Sequence, residues 1–421
     1  MDRTLTQRLL AATTWVLACS ALLVAAPLDA TAENPDGDPA WSRLFDGRSL
    51  DGWTTMAGGS ADAWAAREGE LVVARPGSGG WLRTEKMFRD FELELDFLLP
   101  PGGNSGVGLR CPSAGDPAFA GFELQILDSH GDEPRLDGCG AVYHAVAPAV
   151  QAARPAGEWN TYRVRLVGDV LDVWLNGEPI HAGERLDGRG FFRRPDQPRP
   201  LDARAPTGYI ALQDHGAAVR FRNIRLRDLS PDPDPGDFEH AFDGRTTAGW
   251  THRGGGSFTF QRGTLVAADG PGHLFSDRSH RDIELRALVR VAEPAETGAS
   301  RTGNSGIYFR TMPRPDNPDT WPLGYEAQID NADTRPRHYT GCVYDLAPAA
   351  TGRPITRDGA WFDYRIVAIG DRVRTWINGT PMVDARLDAF DEGRVAIQTH
   401  HPGNRVQFRD VRWRTPAESE P

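Results

Sequence analysis

A few polar side chains recur in this 421-residue chain at spacings that could build one site. Along Asn104-Ser105-Gly106-Val107-Gly108-Leu109-Arg110, period-two alternation puts Val107 and Leu109 on one face and Asn104, Gly106, Gly108 and Arg110 on the other. In Phe122–Ile126 the same rule sets Phe122, Leu124 and Ile126 against Glu123 and Gln125, and in Tyr209–His215 it sets Ile210 and Leu212 against Gln213 and His215. A histidine titrates near neutrality and can move protons, a carboxylate is an alternative base, an arginine can stabilise an oxyanion, and amides make directional bonds to hydroxyl groups. Trp159, Trp174, Trp361 and Trp376 offer flat apolar surfaces for a pyranose ring. The competing reading is plainer: ordinary strand residues, surface ion pairs of little energetic consequence, and buried tryptophans.

The second half of the chain restates the first in order. Phe45-Asp46-Gly47-Arg48 and Gly52-Trp53 return as Phe242-Asp243-Gly244-Arg245 and Gly249-Trp250, and Trp174-Leu175-Asn176-Gly177 returns as Trp376-Ile377-Asn378-Gly379. The polar set returns with it. Asn304 and Arg310 stand for Asn104 and Arg110, Glu326 and Gln328 for Glu123 and Gln125, and Gln398 and His400 for Gln213 and His215. Asp128 and Tyr143 have counterparts in Asp330 and Tyr344, which extend the candidate binding set. A solvated face would tolerate drift between two diverged copies, so retention of these identities at one strand parity favours a site.

The elements that must position these residues are strands. Phe91, Leu93, Leu95 and Phe97 alternate with Glu92, Glu94 and Asp96; residues 159–175 read as a hairpin turning at Gly168-Asp169, and Asn176-Gly177 marks another tight turn. With 46 Gly and 32 Pro and few runs of helical period, the expected class is all-β, two tandem jelly-roll sandwiches over residues 38–229 and 238–415. Between them, Ser230-Pro231-Asp232-Pro233-Asp234-Pro235-Gly236-Asp237 reads as an extended, solvated linker, residues 230–237.

A formal net charge of −11 without clustered Lys and Arg argues against nucleic acid as partner. Residues 1–32 read as a signal peptide: Arg3 and Arg8 precede an apolar run to Ala26, and Ala30-Thr31-Ala32 offers a cleavage site. The expected location is secreted or periplasmic. Val16-Leu17-Ala18-Cys19 resembles a lipobox, which leaves a lipid anchor at Cys19 as the alternative; no membrane span is expected. Cys111 with Cys139 is the one disulfide pairing available within a repeat, and free thiols are the alternative.

Together and in order, Leu44-Phe45-Asp46-Gly47, Asn104-Ser105-Gly106, Glu123-Leu124-Gln125-Ile126-Leu127-Asp128, Gly157-Glu158-Trp159-Asn160, Leu175-Asn176-Gly177, and Leu212-Gln213-Asp214-His215-Gly216 through Phe221-Arg222-Asn223-Ile224 resemble the 3-keto-disaccharide hydrolase domain family. The resemblance implies a concanavalin-like or laminin-G-like jelly roll and, for some members, cleavage of glycosides oxidised at sugar C3. A C3 ketone acidifies the C2 proton, so a base can form an enolate that expels the C1 substituent before water adds. The expected roles are proton transfer for His215 and His400, enolate stabilisation for Arg110 and Arg310 with Gln125 and Gln328, and Glu123 and Glu326 as alternative bases. Repeat two departs from the pattern at Ala241, at Trp361-Phe362 and at Tyr308 in place of Gly108, which leaves repeat one the closer match. The rival from another class is a pair of non-catalytic carbohydrate-binding modules, flexibly linked for avidity. No cofactor is required by this chemistry. Calcium or another divalent metal is a further reading of Asp128, Asp132, Glu133 and Asp137, with Asp330, Asn331 and Asp333 as counterparts.

Overall fold

The computed structural model describes residues 40–56, 58–187 and 200–416. The signal-peptide and lipobox readings fall outside these residues. The chain is almost entirely β. Each repeat is a sandwich of a five-stranded and an eight-stranded antiparallel sheet. In repeat one the small sheet runs Trp53–Thr55, Trp81–Thr84, Tyr209–Gln213, Asn104–Cys111, Phe122–Leu127. The large sheet runs Glu178–Arg185, Val170–Leu175, Trp159–Val167, Phe91–Leu98, Arg220–Asp228, Glu70–Val73, Trp64–Arg67. Repeat two keeps both orders, its small sheet being Trp250–Gly254, Gly272–His280, Gly393–Thr399, Ser305–Met312, Leu323–Ile329.

Alternation explains the sandwich. Phe91, Leu93, Leu95 and Phe97 of the large sheet meet Val107, Leu109, Leu124, Ile126, Ile210 and Leu212 of the small sheet in one core. Each such side chain, fully buried, contributes about 1.5–3 kcal/mol relative to exposure. The hairpin pairs Val167 with Val170 and Tyr162 with Leu175. Beyond it Asn176 and Gly177 both take positive φ, 56° and 88°, the turn geometry that Asn-Gly accommodates. Repeat two builds a separate core from the matching residues, including Leu285, Val289, Ile307, Ala327 and Ile397.

The linker differs from its sequence reading. Residues Trp41–Pro421 form one compact unit, and the linker lies along it with Asp232 and Asp234 turned inward while Pro231, Pro233 and Pro235 stay exposed. Asp234 is 8% exposed and pairs with Arg412, while Asp232 pairs with Arg89 of repeat one. The Asp234 carboxylate also accepts from the backbone N–H of Met87 at 3.1 Å. Charges expected to keep the segment in water instead neutralise arginines buried between the repeats, so flexible tethering does not describe this pair.

The repeats dock asymmetrically. Leu288 and Trp361, on the outer face of the large sheet of repeat two, pack against Met87, Cys111, Ala205, Tyr209 and Ala211 on the small sheet of repeat one. Leu288 occupies the strand position that Asp96 holds in repeat one, as the shared pairing of Trp159 with Leu98 and Trp361 with Arg290 shows. Cys111, Cys139 and Cys342 are free and buried. Among the described residues no helix is long and apolar enough to cross a membrane.

Candidate functional site

In repeat two the outer face of the small sheet carries a connected polar group. Gly306 pairs with Gln328 and Tyr308 with Glu326, so two polar residues lie over adjacent rows of the same strand pair. A Cβ on Gly306 would collide with the Glu326 carboxyl, so the missing side chain is the space Oε1 occupies. Tyr308 donates from Oη to Glu326 Oε2 at 2.7 Å, and Gln398 Nε2 donates to Tyr308 Oη at 3.0 Å. Beneath them Ser305 Oγ donates to the Gln398 carbonyl at 2.6 Å and locks the two strands together.

Aromatic rings close one side. His273, paired with Gln398, lies 5.4 Å from the Tyr308 ring and 5.5 Å from Trp321, and Trp321 lies 4.9 Å from His400. Trp321 is 41% exposed and forms the rim there. On the other side half-exposed Tyr344 adjoins Glu326, whose carbonyl accepts its N–H at 2.9 Å. Several buried polar atoms on this face have no partner: the acceptors Oε1 of Gln328 and Oε1 of Gln398, and the ring nitrogens Nε2 of His273 and Nδ1 of His400. A ligand rich in hydroxyl donors would satisfy them.

Burial sets the acid–base character. It raises the Glu326 carboxyl to about 8, against the bonds from Tyr308 and Gln398 that favour ionisation. Burial, with the nearby charge of His400, lowers His273 to about 4. His400 is also lowered, by burial and then by His401 and Arg301. Near pH 7 the face therefore holds a protonated carboxyl beside neutral imidazoles.

Repeat one repeats the frame under a cover. Gly106 pairs with Gln125 and Gly108 with Glu123, and a Cβ on Gly106 would again strike the Glu123 carboxyl. Burial and then the Asp116 charge raise Glu123 to about 8. Asp116 caps the helix Pro117–Ala120, accepting from Ala118 N at 3.1 Å, and is itself raised by burial, with His215 opposing. Tyr143 stands beside Phe119 at 6.3 Å, and its backbone N–H donates to the Glu123 carbonyl. Oδ1 of Asn104 and Oε1 of Gln125 and Gln213 are buried without partners. Near the Asp116 segment Glu123 is only 3% exposed, whereas Glu326 remains partly exposed. His215 is exposed at the edge.

Other expected site residues lie elsewhere. Tyr209 pairs with Cys111 and Ala211 with Gly108, two residues against three, so a β-bulge interrupts the alternation. Arg110 sits in it at φ 49°, and the bulge turns its side chain inward, where it donates to the carbonyls of Arg89 at 2.6 Å and Gly168 at 2.9 Å and to Asp90 at 3.1 Å. Arg310 does the same with Arg281, Gly370 and Asp282. Both arginines are ties between the two sheets and reach neither polar face. Trp159, Trp174 and Trp376 lie on the outer face of the large sheets, under Arg222, Arg163 and Arg365 respectively. Trp361 is used in docking. Asp128 accepts from Gly102 N at 2.8 Å, and Asp330 caps its own turn through Ala332 N and Asp333 N. Asp132 and Asp137 both pair with Arg135, and among the described residues no three metal-ligating side chains converge. Asn304 accepts from Gln328 Nε2 at 3.4 Å and so belongs to the edge of the face.

Trp321, His273 and Asp116 escaped the sequence reading. Trp321 and Asp116 lie in the segment joining the edge strand of the small sheet to its inner neighbour, where the repeats share no pattern; His273 aligns with Trp81, so comparison of the halves hid it.

The fold and faces define a tandem jelly-roll protein with a polar, aromatic-rimmed sheet face in each copy. Residues 40–227 and 237–414 each match the 3-keto-alpha-glucoside-1,2-lyase-like domain, and the chain belongs to that family. A 3-keto-disaccharide hydrolase of Bacteroides thetaiotaomicron is 25% identical over 245 residues, 49% of this chain and 84% of its own length. A solved candidate glycosyl hydrolase of Parabacteroides distasonis shares 24% identity over 45% of this chain and 94% of its own, at a TM-score of 0.39. For the carbohydrate-binding module CBM66 of Bacillus subtilis the figures are 18%, 39%, 93% and 0.31.

Proposed function

We propose that this chain is an exported enzyme that cleaves glycosides bearing a ketone at sugar C3, and that repeat two performs the cleavage. The observation that carries the reading is the Glu326 carboxyl, held protonated near neutrality over Gly306 and joined through Tyr308 to Gln398, on the sheet face that Trp321 and His400 rim. Neutral His400 removes the C2 proton. The released electron pair forms the C2–C3 double bond, and the charge moves to O3, which the Gln328 amide stabilises in place of the arginine. When the enolate collapses, C3 regains its carbonyl, C1 and C2 become doubly bonded, and the C1–O bond breaks as Glu326 protonates the departing oxygen. Water then adds to C1, giving its proton to ionised Glu326, while the imidazolium returns a proton to C2. The sum is hydrolysis, with both groups restored. Trp321 supplies the surface for the pyranose ring, and the unpartnered acceptors of Gln328 and Gln398 take sugar hydroxyls.

The test is release of free sugar from 3-keto-trehalose by the full chain. Glu326→Gln and His400→Ala should each lower kcat by roughly 100-fold or more, whereas Glu123→Gln and His215→Ala should retain most turnover. Loss confined to the repeat-one variants would reverse the assignment. Binding of oligosaccharides without turnover of 3-keto-trehalose, 3-keto-sucrose or 3-keto-cellobiose would make the chain a pair of binding modules.

A further inference from the structure

A cavity of about 560 Å³ lies where the repeats meet. Arg83 and the Ser113–Gly115 segment of repeat one form one wall, and the 242–245 and 260–263 turns of repeat two form the other. Four arginines line it, Arg83, Arg245, Arg262 and Arg409, against two acidic residues, Asp243 and Asp410. Both carboxylates are already engaged: Asp243 accepts from the N–H groups of Arg245 and Thr246 at 2.8 and 2.7 Å, and Asp410 from Ser113 N and the Tyr209 hydroxyl at 3.4 and 3.5 Å. Arg409 lies 4.3 Å over the Trp361 ring and donates to Thr264 Oγ1 at 3.3 Å, and Arg83 donates to the Thr84 carbonyl at 2.8 Å, so no carboxylate bond occupies either guanidinium. Arg83 lies 3.9 Å over the Tyr209 ring with its Nε buried and unpartnered. In a chain of net charge −11, this is a local excess of positive charge in a walled cleft.

The remaining lining joins Phe242, Phe260, Phe408 and Val411 to Ser113 and His240. Phe242 and Phe260 meet edge to face at 5.5 Å, and the volume falls within the range of small-ligand sites, about 300–1,000 Å³. Planar guanidinium forks match carboxylate and sulfate oxygens, and ring faces match the apolar side of a pyranose. We infer that this interdomain cleft binds an anionic sugar unit, its carboxylate or sulfate ester held by the arginines and its ring against the phenylalanine pair. The site shares no residue with the proposed catalytic face and stands apart from that reading.

Isothermal titration of the full chain with D-glucuronate and D-glucose 6-sulfate tests it, with D-glucose and inorganic sulfate as controls. At least one anionic sugar should bind one to one, at least tenfold tighter than either control and more weakly as salt rises. Arg245→Ala and Arg262→Ala, both exposed turn residues, should each weaken binding by roughly tenfold, the loss of one charge-assisted hydrogen bond. Preference between the two sugars identifies the anion. Absence of binding by both, equal binding of inorganic sulfate, or unchanged affinity in both variants would overturn the inference. Neither probe carries a C3 ketone, so its failure to bind leaves the cleavage reading intact.

Discussion

Replacing Arg310 with alanine separates a structural from a chemical role for the arginine that both repeats carry after their glycines. The side chain is 1% exposed and donates to the Gly370 carbonyl at 2.6 Å and the Arg281 carbonyl at 2.8 Å, with longer contacts to Asp282 at 3.3 Å and Phe390 at 3.4 Å. A hydrogen bond from a charged group is worth about 1.5–3 kcal/mol net, so the two short bonds set a loss of about 3–5 kcal/mol once water reaches part of the void. For a domain of this size that is a fall in thermal midpoint on the order of 10 °C. Arg110→Ala should cost at least as much, because three of its bonds lie within 3.1 Å. Calorimetry of Arg310→Ala and Arg310→Lys gives the midpoints, and kcat on 3-keto-trehalose well below them gives the chemistry of the folded fraction. The expected pattern is a large drop in midpoint with kcat within a fewfold of the parent; lysine rescues little, since it lacks the planar fork. An unchanged midpoint with a large loss of kcat would refute the sheet-tie assignment and return the guanidinium to the reacting sugar.

Turnover should decline as pH rises through about 8, where Glu326 loses the proton it must donate, and an initial-rate profile from pH 5 to 10 measures this. The Glu123 carboxyl, raised to about 8 in the fold, binds its proton in the native state after the unfolded chain has released it. Stability therefore falls between the unfolded carboxyl range and about pH 8 and levels off above. Glu123→Gln removes that loss, worth a few kcal/mol, so its midpoint should exceed the parent at pH 9 and match it near pH 4. Asp234→Ala strands buried Arg412 between the repeats and should cost about 3–5 kcal/mol, read as a lower calorimetric midpoint; an unchanged midpoint would mean the packed linker contributes nothing.

The tandem sandwiches were legible because strand alternation is a local property: each apolar residue of Phe91–Phe97 faces the core whatever the rest of the chain does. The pairing of Glu123 with Gln125, and of Glu326 with Gln328, on one outer face followed from the same rule. Where a bulge inserts one residue the rule fails, and Arg110 and Arg310 turned inward for that reason; backbone hydrogen bonds between distant strands decide where a bulge lies. Trp174 and Trp376 obeyed alternation, but parity within a strand does not say which of two sheets the strand joins. How the copies dock was likewise a tertiary outcome. Leu288 in place of Asp96 is one apolar substitution among many until the large sheet of repeat two is laid across the small sheet of repeat one, where it packs against Cys111, Tyr209 and Ala211.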